Sequence, residues 1–148
     1  MDTSAQTEAQ PSLIAIESTF LPIDHMRQVS RVTRCDGPTI EGEVDLGPDH
    51  WVFTEHFPTD PIFPGSLMIE AAGQLVALWA WMNGPRGRPR LVRTAAEFHS
   101  PAGPSAPALT LRAEVRRKRH LYFGAVEVLA GETRLATIEA VLAVLPAT

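Results

Sequence analysis

Cysteine is almost missing from this chain of 148 residues: Cys35 is the only one, which excludes an internal disulfide and fits a reducing compartment, with the cytoplasm as the default expectation. No local feature lowers its pKa, so Cys35 reads as a half-buried strand residue and not as a nucleophile. A surplus of positive charge is missing too. The net charge of -4 argues against nucleic acid as the main partner. There is no basic start followed by an apolar run in Met1 to Pro11, so no signal peptide is read there. Residues 1–12 are expected to be a disordered tail, ahead of a single domain over 13–148. The chain also lacks a His-Glu-x-x-His motif and any cysteine pair, so a zinc site is not expected. A stretch of about 20 apolar residues, the length a bilayer helix needs, is absent as well, and no membrane partner is expected.

What is present begins with enough apolar sequence, 45% of the residues, to bury one core. Val29 to Cys35 and Thr39 to Leu46 are strand-like and are joined by Asp36-Gly37-Pro38, a turn sequence, which predicts a hairpin. Trp51-Val52-Phe53 is expected to be a short extended piece. From Ser66 to Met82 nearly every residue is apolar, which predicts a helix buried on all sides, ended by Asn83-Gly84-Pro85. Leu91 to Phe98, Ala108 to Val115, Leu121 to Leu129 and Thr133 to Val144 are further strands, so the order is two strands, a helix and four strands. Two basic clusters stand out. Arg86, Arg88, Arg90 and Arg93 follow the helix, and Arg116 to Arg119 form a later run; they read as a solvated loop and a hairpin end, or as a docking patch for an acidic partner.

Chemistry concentrates between His56 and Glu70. A histidine exchanges protons near neutral pH, and Glu70 is one of few polar residues in the apolar helix, where a carboxylate needs a partner. Gln74 lies four residues on, on the same helical face, and can hydrogen-bond it. Between them, Pro58, Pro61 and Pro64 keep the chain out of helix until Gly65. The first N–H groups of a helix have no internal partner, so Gly65 and Ser66 form a candidate cradle for an oxygen that is becoming an anion; Ser66 is also the expected N-cap. An imidazole, a carboxylate and such N–H groups suit removal of a proton beside a thioester carbonyl, coupled to loss of a β-hydroxyl.

The run His56-Phe-Pro-x-x-Pro-Ile-x-Pro-Gly65-x-Leu-x-x-Glu70-Ala71-x-x-Gln74 resembles the signature of the hot-dog-fold β-hydroxyacyl-acyl carrier protein dehydratases of fatty acid and polyketide synthesis. The resemblance extends more weakly from about Leu21 to Leu145. It implies an α+β hot-dog fold, an antiparallel sheet wrapped around a long central helix, and acyl carrier protein as partner, with no metal or redox cofactor. It further implies a homodimer in which His56 of one chain meets Glu70 of the other. Departures from the family pattern occur at Thr59 and Glu55, where glycines are usual, and at Pro104-Ser105-Ala106. Glutamate at position 70 matches the dehydratase-only branch, whereas Gln74-Leu75-Val76 and the tryptophan-rich helix look closer to the dehydratase/isomerase branch.

Overall fold

Alternation of side chains builds the sheet. Strand β2 (Thr39–Asp45) buries Ile40, Gly42 and Val44 in every second position, and β4 (Ala108–Lys118) does the same with Leu109, Leu111, Ala113 and Val115. With β1 (Arg31–Asp36), β3 (Gly87–Phe98), β5 (Leu121–Ala130) and β6 (Thr133–Pro146) they form one six-stranded antiparallel sheet in the order β1-β2-β4-β5-β6-β3. The structure is a computed structural model describing residues 21–146, and the tail expected over 1–12 lies outside the described residues. Two helices interrupt the strands: α1 (Val52–Glu55), a single turn, and α2 (Gly65–Asn83).

Helix α2 runs under the sheet and touches β2 through β6. Its Leu75, Val76 and Leu78 are completely buried, each stabilising the fold by about 1.5–3 kcal/mol relative to exposure. A helix enclosed this way must be apolar all round, which is why its sequence has almost no polar face. The sheet accommodates it with a glycine: a side chain at Gly124 of β5 would run into Val76. This is the α+β hot-dog arrangement that the resemblance implies. Among the described residues no helix is long and apolar enough to cross a membrane.

Several boundaries differ from the sequence expectation. Strand β1 starts at Arg31 and not at Val29, because the Val29 N–H is taken by the Gln74 side chain at 3.1 Å and so is unavailable to a ladder. The basic cluster after the helix is mostly strand: Arg88, Arg90 and Arg93 belong to β3. Trp51-Val52-Phe53 is not extended but leads into α1, where consecutive Val52 and Phe53 are both buried, which an alternating strand on a one-sided sheet does not allow. The expected hairpin is present, and Gly37 at φ +58° provides the left-handed residue that its turn requires. Cys35 is a partly buried residue of β1, and its thiol pKa is raised by burial and by the neighbouring Asp36.

Candidate active site

His56 closes helix α1, its N–H donating to the Val52 carbonyl at 2.8 Å. Its ring stacks on Phe57, with centroids 4.0 Å apart, and its Nδ1 lies 3.2 Å from the Ile62 carbonyl oxygen. A carbonyl only accepts, so the hydrogen bond puts the proton on Nδ1 and leaves Nε2 as the free basic nitrogen. The loop that follows is tied at both ends. Phe57 and Asp60 exchange backbone hydrogen bonds at 2.9 and 3.0 Å, and the Ile62 N–H returns to the His56 carbonyl at 2.9 Å. The peptide bond between His56 and Phe57 is cis.

Glu70 is partly buried and its Oε2 accepts a hydrogen bond from Gln74 Nε2 at 2.9 Å, as the four-residue spacing predicts. Gln74, only 3% exposed, is itself fully engaged: its Oε1 accepts from the N–H groups of Gln28 and Val29 at 2.9 and 3.1 Å, and its Nε2 also donates to the Met26 carbonyl at 2.7 Å. The amide is thereby locked in orientation and holds Glu70 from a fixed point. The segment it grips, with a 3₁₀ turn at Asp24–Met26, has no signal in the sequence pattern that would have linked it to the site.

Helix α2 begins at Gly65, and its N-cap is Pro64, which has no side-chain hydrogen bond to offer. The expectation that Ser66 caps the helix is therefore corrected: Ser66 is already inside the first turn and exposed. Carbonyl oxygen of Pro64 receives the N–H groups of Leu67 and Met68 at 3.1 and 3.2 Å, so those of Gly65 and Ser66 are the ones left without an acceptor among the described residues. Above Gly65 sits the ring of Phe98, 52% exposed; a β-carbon at Gly65 would come within 2.8 Å of it.

The candidate residues divide between two pockets. One, of about 300 Å³, is lined by Glu70, Gly73 and Gln74 of α2 and by Arg88, Arg90 and Leu91 of β3. The other, of about 340 Å³, contains Gly65, Met68, Phe98 and His99. His56 lines neither. Within one chain, then, Glu70 and Gln74 share a pocket whose lining includes neither His56 nor Gly65. Trp79 and Trp81 are buried, and their indole N–H groups donate to the Gly37 and Gly87 carbonyls at 2.9 and 3.0 Å. Among the described residues no group of three or more His, Cys, Asp and Glu gathers as metal ligands would.

Solved structures with the same fold include a variant of a thioesterase from Pseudomonas aeruginosa, with a TM-score of 0.71 at 13% identity over 93% of this chain and 94% of that one. AziG from S. sahachiroi aligns with a TM-score of 0.63 at 18% identity, covering 82% of this chain and 93% of its own. A variant of a thioesterase from Staphylococcus aureus gives 0.64 at 12% identity, over 78% and 92%. At these identities the likeness speaks for the hot-dog fold. The sequence itself matches the model of one family over residues 21–139, a span that includes both His56 and Glu70, and the chain accordingly belongs to the FabA-like domain family.

Proposed function

We propose that the chain dehydrates a β-hydroxyacyl thioester carried on acyl carrier protein to the 2-enoyl thioester, with His56 and Glu70 meeting across a homodimer. One observation carries the reading: Glu70 is held by the anchored Gln74 over a pocket, in a signature that also leaves His56 Nε2 free as a base. In the reaction, Nε2 takes the α-proton and the electron pair moves onto the thioester oxygen, which the Gly65 and Ser66 N–H groups receive. The Cα–Cβ double bond then forms as the Cβ–O bond breaks, and the protonated carboxyl of Glu70 gives the departing hydroxyl its proton, releasing water. Transfer of one proton from imidazolium to carboxylate restores the starting state. Every step moves protons, so no metal or redox cofactor is called for.

Support for the homodimer comes from β3. Among the described residues it pairs with β6 alone, which leaves the other edge of a twelve-residue strand without a neighbour there, with Leu91 at 50% and Val92 at 57% exposure. A long edge of this kind is a template for another strand. Support for a carrier protein comes from the register. Lys118 pairs with Leu121, Leu121 with Ala143 and Ala143 with Arg90, so the two basic clusters share one end of the sheet. That end adjoins the Glu70 pocket through Arg88 and Arg90 and suits an acidic partner.

A hot-dog thioesterase or enoyl isomerase is the second reading, since two of the similar structures are thioesterases, and a non-catalytic acyl-binding subunit is the third. The test is the 2-enoyl absorbance change with β-hydroxyacyl pantetheine and carrier-protein thioesters. His56→Ala and Glu70→Gln each reduce it by about 10²–10⁴-fold under the proposal. Release of free thiol in place of enoyl product establishes the thioesterase; binding without turnover establishes the subunit. Mixing the two inactive variants restores activity if the site spans two chains.

A further inference from the structure

Helix α1 is one turn long, too short to hold itself in water, yet it ends on His56. Its start is fastened by a ring. The Val52 N–H donates to His50 Nδ1 at 3.2 Å, and the carbonyl of the same Val52 receives the His56 N–H at 2.8 Å. The Phe53 N–H adds a bond to the His50 carbonyl at 3.2 Å. His50 and His56 are thus the two ends of one hydrogen-bonded turn. We propose that His50 is a positioning residue for His56: its neutral ring fastens the turn that carries the base, and protonation of that ring releases it.

The chemistry of the contact requires this sign. Nδ1 accepts only while unprotonated, and a proton there would bring a positive charge against the N–H end of a helical turn, where the dipole disfavours it. His50 is partly buried beside aromatic rings: Trp51 stacks at 5.6 Å, and Phe53 and Phe63 meet it edge-on at 5.9 and 6.0 Å. On the 3₁₀ turn, His25 stacks on Trp51 at 4.1 Å and nearly parallel, with Asp24 beside it, and Asp49 and Glu55 are the ionisable residues of His50's own segment. Burial and the second imidazole, His25, both hold the His50 pKa below the ordinary histidine value. The neutral, fastened form is therefore the resting one at neutral pH. The same 3₁₀ turn supplies the Met26 carbonyl that anchors Gln74, so the His25–Trp51–His50 stack lies between the supports of His56 and of Glu70.

The inference rests on the proposed role of His56, and the experiment separates the two. Log kcat/KM is followed from pH 5 to 9 for the full-length parent, His50→Asn, His50→Leu and His56→Ala, together with the NMR titration of the Val52 amide. His50→Asn keeps an acceptor that does not titrate; it retains activity within about threefold at pH 8 and loses one unit of slope from the acid limb. His50→Leu lowers kcat about tenfold or more with KM little changed, as expected for a misplaced base. In the parent the Val52 amide shifts with the His50 titration, and in His50→Asn it does not. An acid limb identical in parent and His50→Asn, or a Val52 amide indifferent to pH, overturns the proposal even if His50→Leu fails to fold. Full activity in His56→Ala overturns the catalytic reading, and the Val52 titration still decides whether His50 fastens the turn.

Discussion

Gln74→Glu is the sharpest perturbation of the site, because it keeps the shape of a side chain whose hydrogen bonds are all assigned. The introduced acid can still accept from the Gln28 and Val29 N–H groups, but the nitrogen that donated to Glu70 Oε2 at 2.9 Å and to the Met26 carbonyl at 2.7 Å becomes an oxygen. Two carboxyl groups in that contact, one of them at a position 3% exposed, cannot both stay ionised, so the pair retains a shared proton above the ordinary carboxylate range. With a rise of about two pK units, at about 1.4 kcal/mol each, the folded pair binds a proton that the unfolded chain has lost above pH ~4.3. Stability therefore falls as pH rises from about 4.3 to 6.3, by roughly 2.8 kcal/mol, and is level above that. At about 4 °C per kcal/mol, the gap in Tm between parent and variant widens by roughly 10 °C between pH 4.5 and pH 8. Thermal melts at both pH values, each referred to the parent, measure it. A gap that is the same at pH 4.5 and pH 8, or wider in acid, refutes the placement of Gln74 against Glu70.

Other consequences are simpler to read. Gly124→Ala drives a methyl into Val76 and is expected to cost about 1–3 kcal/mol in urea unfolding; combining it with Val76→Ala should cost less than the sum of the two, and strict additivity would mean that the strand and helix do not touch there. Gly65→Ala meets the Phe98 ring at 2.8 Å, but that ring is half-exposed and can swing aside, so stability should change by less than about 1 kcal/mol while enoyl formation drops by about tenfold or more; unchanged turnover would remove Gly65 from the site. Burial, reinforced by Asp36, holds the Cys35 thiol above its ordinary pKa, so labelling by a disulfide reagent at pH 7 should be slower than for free cysteine and should accelerate into alkaline pH; fast labelling at pH 7 would contradict the packing of β1.

The parts of the fold readable in the sequence are those where burial is one-sided or complete. Alternation in Leu109, Leu111, Ala113 and Val115 locates β4, and the unbroken apolar run locates α2, because in both cases the hydrophobic pattern and the final environment coincide. The misread elements are those decided by a single polar partner. Val29 has the composition of a strand residue, yet its N–H goes to Gln74, 45 positions away. Trp51, Val52 and Phe53 all favour strands by type, and the turn they enter is fastened by the His50 ring, a contact that no propensity scale contains. Ser66 suits an N-cap, but three prolines and Gly65 fix the cap two residues earlier, at Pro64, which has no side-chain hydrogen bond to give.

The candidate residues can be picked out of the sequence as a set, whereas their arrangement cannot. Spacing predicts the Glu70–Gln74 hydrogen bond because a helix sets the distance between positions four apart, and that bond is present. No such rule governs the fourteen residues from His56 to Glu70. The loop between them is closed on itself by the Phe57–Asp60 and His56–Ile62 bonds, so its length measures the loop and not the distance between the two side chains. Inside one chain the Glu70 pocket is lined by α2 and β3, without His56. Under the proposed pairing of β3 edges, the missing imidazole comes from the second copy. The two requirements are then linked: a substitution that blocks the β3 edge, such as Val92→Pro, should lower activity in step with dimer content. A fully active monomer would dismiss the shared site and return His56 and Glu70 to a single chain.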